Sequence, residues 1–199
     1  MKAEEKTNVM RLLDGRKIPY AARSYEPDPS MTGEEIALLL NEDPGKVYKT
    51  LVTEGKPGRH YVFVVPVQKE LDLKKAAKAA GEKSVSMIRQ KDLLPLTGYV
   101  HGGCSPLGMK KVFPTFIHET AEREEQIFVS AGRVGFQVGV NPKDLASLIR
   151  FTFADLTADS RSPAAYCFWG TVIVPWPVGN PTDRKGAAVW KSRTGSSAI

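Results

Sequence analysis

Hydrophobic and polar positions along this chain follow two periods in turn. Val9, Leu12 and Leu13 recur at one-turn spacing and predict an amphipathic helix ending near Gly15. Residues 18–25 read as a strand entered through Pro19. Thr32-Gly33-Glu34-Glu35 has the form of a capping box, hydroxyl and carboxylate each satisfying an orphan amide, and predicts a helix over the apolar run that follows. Asp43-Pro44-Gly45 breaks that helix before a strand at residues 47–52, and a turn at residues 54–59 leads to a second strand at residues 61–67. Asp72 can cap a helix running to Ala80, and residues 89–94 predict a short one. Strands are expected at residues 99–101, 111–119, 127–130 and 134–140, and Asn141-Pro142 pairs an N-cap with a first-turn proline to open a helix to Ile149. Several strands with a few interspersed helices, not strictly alternating, predict a mixed α/β domain with a curved sheet and not a doubly wound parallel one.

Beyond residue 160 the pattern loses any sustained period, although residues 171–174 could form a short strand. The expected organisation is one domain over residues 1–159 and a C-terminal extension over residues 160–199, a size that buries a single core. Charge supports the division. The formal net charge is +6, but the last forty residues hold five of the 28 basic and one of the 22 acidic side chains, leaving a nearly neutral body. A polyanion would therefore meet a local basic patch on a nearly neutral domain. The two cysteines, Cys104 and Cys167, are far apart and form no C-x-x-C pair, against a zinc or redox motif and in favour of free thiols in a reducing cytoplasm. The charged N-terminus has no apolar segment of the secretory type, and the best apolar run, residues 166–179, is broken by Pro175 and Pro177. A cytoplasmic protein without a membrane partner is expected.

Chemistry concentrates at three places. Lys49 interrupts an apolar, β-branched strand pattern, Val47-Tyr48-Lys49-Thr50-Leu51-Val52; an ammonium there either snorkels to solvent or serves a polar pocket. Gly102-Gly103-Cys104-Ser105-Pro106-Leu107-Gly108 is a glycine-rich loop, and Ser130 closes the strand pattern Ile127-Phe128-Val129-Ser130 ahead of Ala131-Gly132. Gly103 and Gly108 have the outer spacing of a phosphate-binding loop, but Met109-Lys110 stands where Lys-Ser/Thr is required, so nucleotide hydrolysis is rejected. What remains is a loop that lets a ligand approach the backbone closely, with the Ser105 hydroxyl beside it. His101 and Cys104 lack a third group to orient a base, and no His- or carboxylate-rich cluster suggests a metal or cofactor. Lys74, Lys75 and Lys78 share one helix face, either solvated or in contact with a nucleic-acid backbone.

Taken in order, Lys49-Thr50-Leu51-Val52, Leu73-Lys74-Lys75-Ala76-Ala77, Thr97-Gly98-Tyr99 through Gly102-Gly103, Ser105-Pro106-Leu107-Gly108, Val129-Ser130-Ala131-Gly132 and Asn141-Pro142-Lys143-Asp144-Leu145 resemble the YbaK-type Cys-tRNA(Pro) deacylases. These are free-standing relatives of the editing domain inserted in bacterial prolyl-tRNA synthetase. The resemblance covers about residues 5–157. It implies a curved, largely antiparallel, partly barrel-like sheet with surrounding helices, and hydrolysis of the ester joining a misattached amino acid to the tRNA 3′ end. It also implies a role for Lys49 at the terminal phosphate or ester. Tyr25, Thr50, Gly102, Gly103, Ser105 and Ser130 would then hold the aminoacyl group, with Lys74, Lys75 and Lys78 toward the tRNA. The partner it implies is mischarged tRNA, with prolyl-tRNA synthetase as a second. In cysteine-editing members the substrate's own thiol attacks the ester, which suits a sequence without a triad. Removal of Ala or another small amino acid from tRNA, or a noncatalytic aminoacyl-tRNA or nucleotide-binding module, are the alternative readings.

Overall fold

The computed structural model describes residues 6–158. Three of the four α-helices among the described residues begin at a side-chain cap that the sequence provides. The Thr7 hydroxyl accepts from the Met10 amide at 3.3 Å to start α1 (Asn8–Gly15), which buries Val9, Met10 and Leu13. Thr32 and Glu35 form the reciprocal capping box of α2 (Gly33–Leu39), with the Thr32 amide donating to Glu35 Oε2 at 2.7 Å and the Glu35 amide to Thr32 Oγ1 at 3.2 Å. Asp72 Oδ1 accepts from the amides of Lys74 and Lys75 to open α3 (Leu73–Ala80), which ends at Gly81 with φ +67°, the left-handed stop that glycine adopts without strain. The fourth helix, α4 (Gln90–Thr97), ends in the same way at Gly98.

Among the described residues eight strands form two sheets. In chain order they are β1 (Ala21–Ser24), β2 (Tyr48–Glu54), β3 (His60–Pro66), β4 (Ser86–Met87), β5 (Thr115–His118), β6 (Ile127–Ser130), β7 (Phe136–Val140) and β8 (Phe151–Ala154). The larger sheet runs β4-β2-β3-β5-β8 and the smaller β1-β7-β6. Pairings of β2 with β3 and β4, and of β7 with β1 and β6, are antiparallel; β3 with β5 and β5 with β8 are parallel. The mixed α/β architecture is therefore as expected, with antiparallel pairing in the majority. Among the described residues no pairing closes either sheet into a barrel; a single parallel bridge, Val47↔Phe128, links the two.

Strand alternation divides the core. Tyr48, Val52, Val62 and Val64 face one side of the larger sheet and pack with α1, the glycine loop and the smaller sheet through Val9, Leu13, Leu107 and Val129. Tyr61, Phe63 and Val65 face the other side, against Ala76 and Ala77 of α3 and Leu156. A third small cluster, Ala37, Val47 and Phe128, sits where α2 meets the junction of the sheets.

Four local expectations are corrected. Residues 99–101 do not pair as a strand: Tyr99 is drawn inward, its hydroxyl donating to the Leu107 carbonyl at 2.6 Å, and the Gly103 amide donates back to the Val100 carbonyl in a turn. The strand foreseen at 111–119 begins only at Thr115, because Pro114 has no amide for the ladder and offers its carbonyl to Val62 instead. The helix foreseen from Asn141 is reduced to a 3₁₀ segment, Asp144–Ser147: Asn141 Oδ1 accepts from the Lys143 amide at 2.9 Å, a local turn, and β8 starts soon after. The first strand is also shorter than residues 18–25, since Pro19 cannot donate and Lys17 is left-handed at φ +56°. The strand read at residues 171–174 and the C-terminal extension lie outside the described residues.

Candidate functional site

The site grows from the bridge between the sheets. Val47 and Phe128 are paired in parallel and both enter the cluster under α2. Two residues further along each chain, Lys49 and Ser130 return to that same side. From Ser130 the register continues across the smaller sheet to Gln137 and then to Arg23. Paired residues share a face, so Ser130, Gln137 and Arg23 form one polar row, with Lys49 on the adjoining strand. Tyr25 joins it: its amide donates to the Gly135 carbonyl at 2.9 Å, extending the β1–β7 register, and alternation returns its side chain to the Arg23 side.

Lys49 is half-buried, with its ammonium 2.6 Å from Oε1 of the exposed Glu70. An ion pair with so exposed a partner adds little to stability and is readily exchanged for an anionic ligand. Ser130 Oγ accepts from the Gly132 amide at 3.2 Å and thereby holds the β6–β7 turn. The glycine pair packs on that turn. Gly102 is left-handed at φ +77°, and a Cβ on Gly103 would lie 3.0 Å from the Val134 amide nitrogen, so the close approach of the two backbones requires glycine there.

The row includes three groups that the sequence reading did not single out: Arg23, Gln137 and, beside them, Glu42. Glu42 lies just past α2, turned inward by left-handed Asn41 (φ +55°), with its side chain only 4% exposed. Its nearest cation is Arg23, Nε at 3.5 Å, and Arg23 also lies over the Phe128 ring with Cζ 5.9 Å from the centroid. Among the described residues neither Glu42 oxygen has a hydrogen-bond partner. Burial pushes its carboxyl up to about 7, with Arg23 pulling the other way. Gln137 Oε1 is likewise buried and unpartnered. The Gln137 signal was available in the sequence, a polar residue in an apolar strand just as at Lys49. Glu42 carried none, since Asn-Glu-Asp-Pro reads as a solvated loop.

Other expected positions fall elsewhere. Thr50 alternates to the opposite side of β2 from Lys49, on the face of Tyr48 and Val52, with its hydroxyl buried and unpartnered. Ser105 is fully buried, and its Oγ accepts from the Leu107 amide at 3.3 Å, which shapes the glycine loop from within. Of the three lysines on α3, Lys74 and Lys78 are exposed, whereas Lys75 donates to Asp155 Oδ2 and to the Thr157 carbonyl, both at 2.7 Å. Cys104 is buried among apolar groups that push its thiol up to about 12, a setting for packing and not for nucleophilic attack. His118 is buried with both ring nitrogens engaged, Nδ1 with Thr120 and Nε2 with Thr157, each 2.9 Å from a hydroxyl. Among the described residues no group of three or more His, Cys, Asp or Glu is placed to hold a metal ion, and no helix is long and apolar enough to cross a membrane. An open cleft of about 360 Å³ lined by Pro19, Tyr20, Ala21, Glu125, Gln126 and Asn141 shares no residue with the polar row.

The described residues thus combine a mixed α/β fold with a cationic and polar row and a glycine-backed turn, and among them no nucleophile–base–acid triad is assembled. The chain belongs to the aminoacyl-tRNA editing domain family, whose profile matches residues 27–148. It is 44% identical over 159 residues to an Enterococcus faecalis protein named "Putative Cys-tRNA(Pro)/Cys-tRNA(Cys) deacylase EbsC", covering 78% of this chain and 96% of that protein. The fold is similar to that of a solved structure described as "a putative trans-editing enzyme for prolyl tRNA synthetase", with a TM-score of 0.65 at 23% identity over 79% of this chain and 99% of that one. It is also similar to the crystal structure of hypothetical protein APE2540, with a TM-score of 0.66 at 21% identity over 75% of this chain and 99% of that one.

Proposed function

We propose that this editing-domain protein acts in trans on mischarged tRNA and hydrolyses the ester of Cys-tRNA(Pro), with Lys49 as its central residue. The supporting observation is the pairing of an exchangeable cation with a site lacking an activated protein nucleophile: among the described residues Lys49 is held only by exposed Glu70, while Cys104 and Ser105 are enclosed in the core. In this reading the cysteinyl thiol of the substrate attacks the ester carbonyl and forms a cyclic thioester. The ester C–O bond breaks, and the thiol proton passes to the departing ribose oxygen, freeing the tRNA 3′ hydroxyl. The Lys49 ammonium stabilises negative charge at the carbonyl oxygen or the terminal phosphate. Ser130 and the Gly102–Gly103 backbone shape the aminoacyl pocket, with Tyr25 packing on the ligand and Thr50 and Ser105 supporting it from beneath. Holding thiol and carbonyl in contact and stabilising the developing charge can each supply several kcal/mol, on the order of 3 to 10.

Lys74 and Lys78 offer the exposed cations for the tRNA backbone, with Lys75 fixing the helix that carries them. Prolyl-tRNA synthetase is the natural docking partner for a small domain that must meet its mischarged product in the cytoplasm. The deciding experiment is the hydrolysis rate of Cys-tRNA(Pro), beside Ala-tRNA(Pro), with wild type and Lys49→Ala. Rapid Cys release that collapses in the variant is expected. Preferential loss of Ala would reassign the substrate, and intact esters despite bound tRNA would leave a binding module.

A further inference from the structure

The polar row holds two side chains whose acceptor oxygens the fold does not satisfy. Both oxygens of Glu42 and the Oε1 of Gln137 are buried without a hydrogen-bond donor among the described residues. Buried acceptors are ordinarily paired, and an unpaired set at the edge of a candidate site marks where a ligand brings the donors. Arg23 does not fill the role: its Nε is 3.5 Å from the carboxylate and its guanidinium lies over Phe128, half in solvent.

We propose that Glu42 and Gln137 bind the α-ammonium group of the aminoacyl ester. The inference rests on the deacylase reading above and specifies what the far end of that site recognises. An ammonium brings three donors and a positive charge, matching an ionised carboxylate beside an amide oxygen. A phosphate or carboxylate ligand would be repelled by Glu42, and a hydroxyl could not answer both acceptors. The spacing also fits. Gln137 is directly opposite Ser130, and paired Cβ atoms across an antiparallel ladder are about 5 Å apart. The α-nitrogen of an amino acid is two bonds from its carbonyl carbon, so an ester held beside Ser130 and Lys49 directs its ammonium toward Gln137 and the Glu42 carboxylate.

The test compares two esters on the same tRNA(Pro): cysteinyl, and 3-mercaptopropionyl, which keeps the thiol but lacks the amino group. Hydrolysis of both is measured for wild type, Glu42→Gln and Gln137→Met. The greater intrinsic lability that an ammonium lends its ester is the same for every protein and cancels between them. Wild type should prefer the cysteinyl ester by at least about tenfold in kcat/KM beyond the ratio seen in Glu42→Gln, mainly through KM, with a smaller loss of preference in Gln137→Met. A variant that is merely less well folded would slow both esters equally and leave their ratio unchanged. An unchanged ratio in both variants overturns the proposal while leaving the deacylase reading intact. A wild type that cleaves neither ester overturns that reading, and the inference falls with it.

Discussion

Replacing Glu42 by Gln should make the free protein more stable at neutral and alkaline pH, by an amount the geometry allows to be worked out. The folded carboxyl is raised from 4.5 to about 7, chiefly by burial. Protonation is therefore favoured by folding: the stability it confers is fully present below pH 4.5 and is lost as pH rises through about 7. A shift of about 2.5 units corresponds to roughly 3 kcal/mol in the alkaline limit, most of it expressed between pH 5 and 8. Glutamine keeps the shape and remains uncharged, so the gap in unfolding free energy between Glu42→Gln and wild type should grow by about 2 kcal/mol from pH 5 to pH 8. For a domain of this size that is on the order of 5 °C in Tm. Denaturant unfolding of the two proteins in parallel measures it, and taking the difference removes every other titrating group. His118 in particular acts in the opposite sense, because burial lowers its pKa and its contribution is lost as pH falls. A gap that stays constant from pH 5 to 8 would refute the argument: the carboxylate would then be solvated, and the unpaired acceptors invoked above would not exist.

Further outcomes follow from the same geometry. Gly103→Ala should slow ester hydrolysis at least about tenfold, because its methyl meets the Val134 amide at 3.0 Å and pushes the loop off the turn behind Ser130; a variant with wild-type kcat/KM would remove the glycine pair from the site. Lys74→Ala combined with Lys78→Ala should weaken tRNA binding and flatten its salt dependence by about two counterions, measured by filter binding across a salt series; an unchanged slope places the tRNA on another face. Lys75→Ala should instead lower Tm, since it loses Asp155 and the Thr157 carbonyl together, and an unaltered melting curve would count against that anchoring role. His118→Gln should reduce the loss of stability that wild type shows as pH falls below 6.5, the usual histidine value, and equal acid sensitivity in the two proteins would show that another group is responsible.

The parts of this fold legible in the sequence are those fixed by a few neighbouring residues. Thr32 and Glu35 set the start of α2, Asp72 that of α3, and β2 and β3 follow from apolar runs separated by a turn. The misreadings arise where a distant contact decides. Tyr99 has strand propensity, but the buried carbonyl of Leu107 claims its hydroxyl and the segment folds back into a turn. Asn141-Pro142 is a sound helix start in isolation, yet the chain has too few residues before β8 pairs with β5 to build one. Local propensity loses to tertiary pairing in both cases.

The site follows the same logic with one further step. Lys49 and Ser130 were conspicuous singly, a charge and a hydroxyl in apolar strands, but the strands that carry them meet through one bridge at Val47 and Phe128. No local pattern announces that bridge. It converts two independent anomalies into neighbours and brings in Gln137 and Arg23 by register alone. Glu42 arrives by a third route, a left-handed turn after α2 that drives a loop carboxylate into the protein. Such a carboxylate is expensive to keep ionised unless a cation meets it, and Arg23, tied by its stacking over Phe128, meets it only at a distance. A row that joins a loosely held cation at one end to an unsatisfied anion at the other is matched to a ligand with the reverse polarity: negative charge developing at an ester carbonyl and, two bonds away, a positive amine. Under the proposed assignment, side chains from β2, the smaller sheet and the loop after α2 would complement the charges of an amino acid ester before any substrate is present, the means by which a site without a nucleophile of its own would favour hydrolysis.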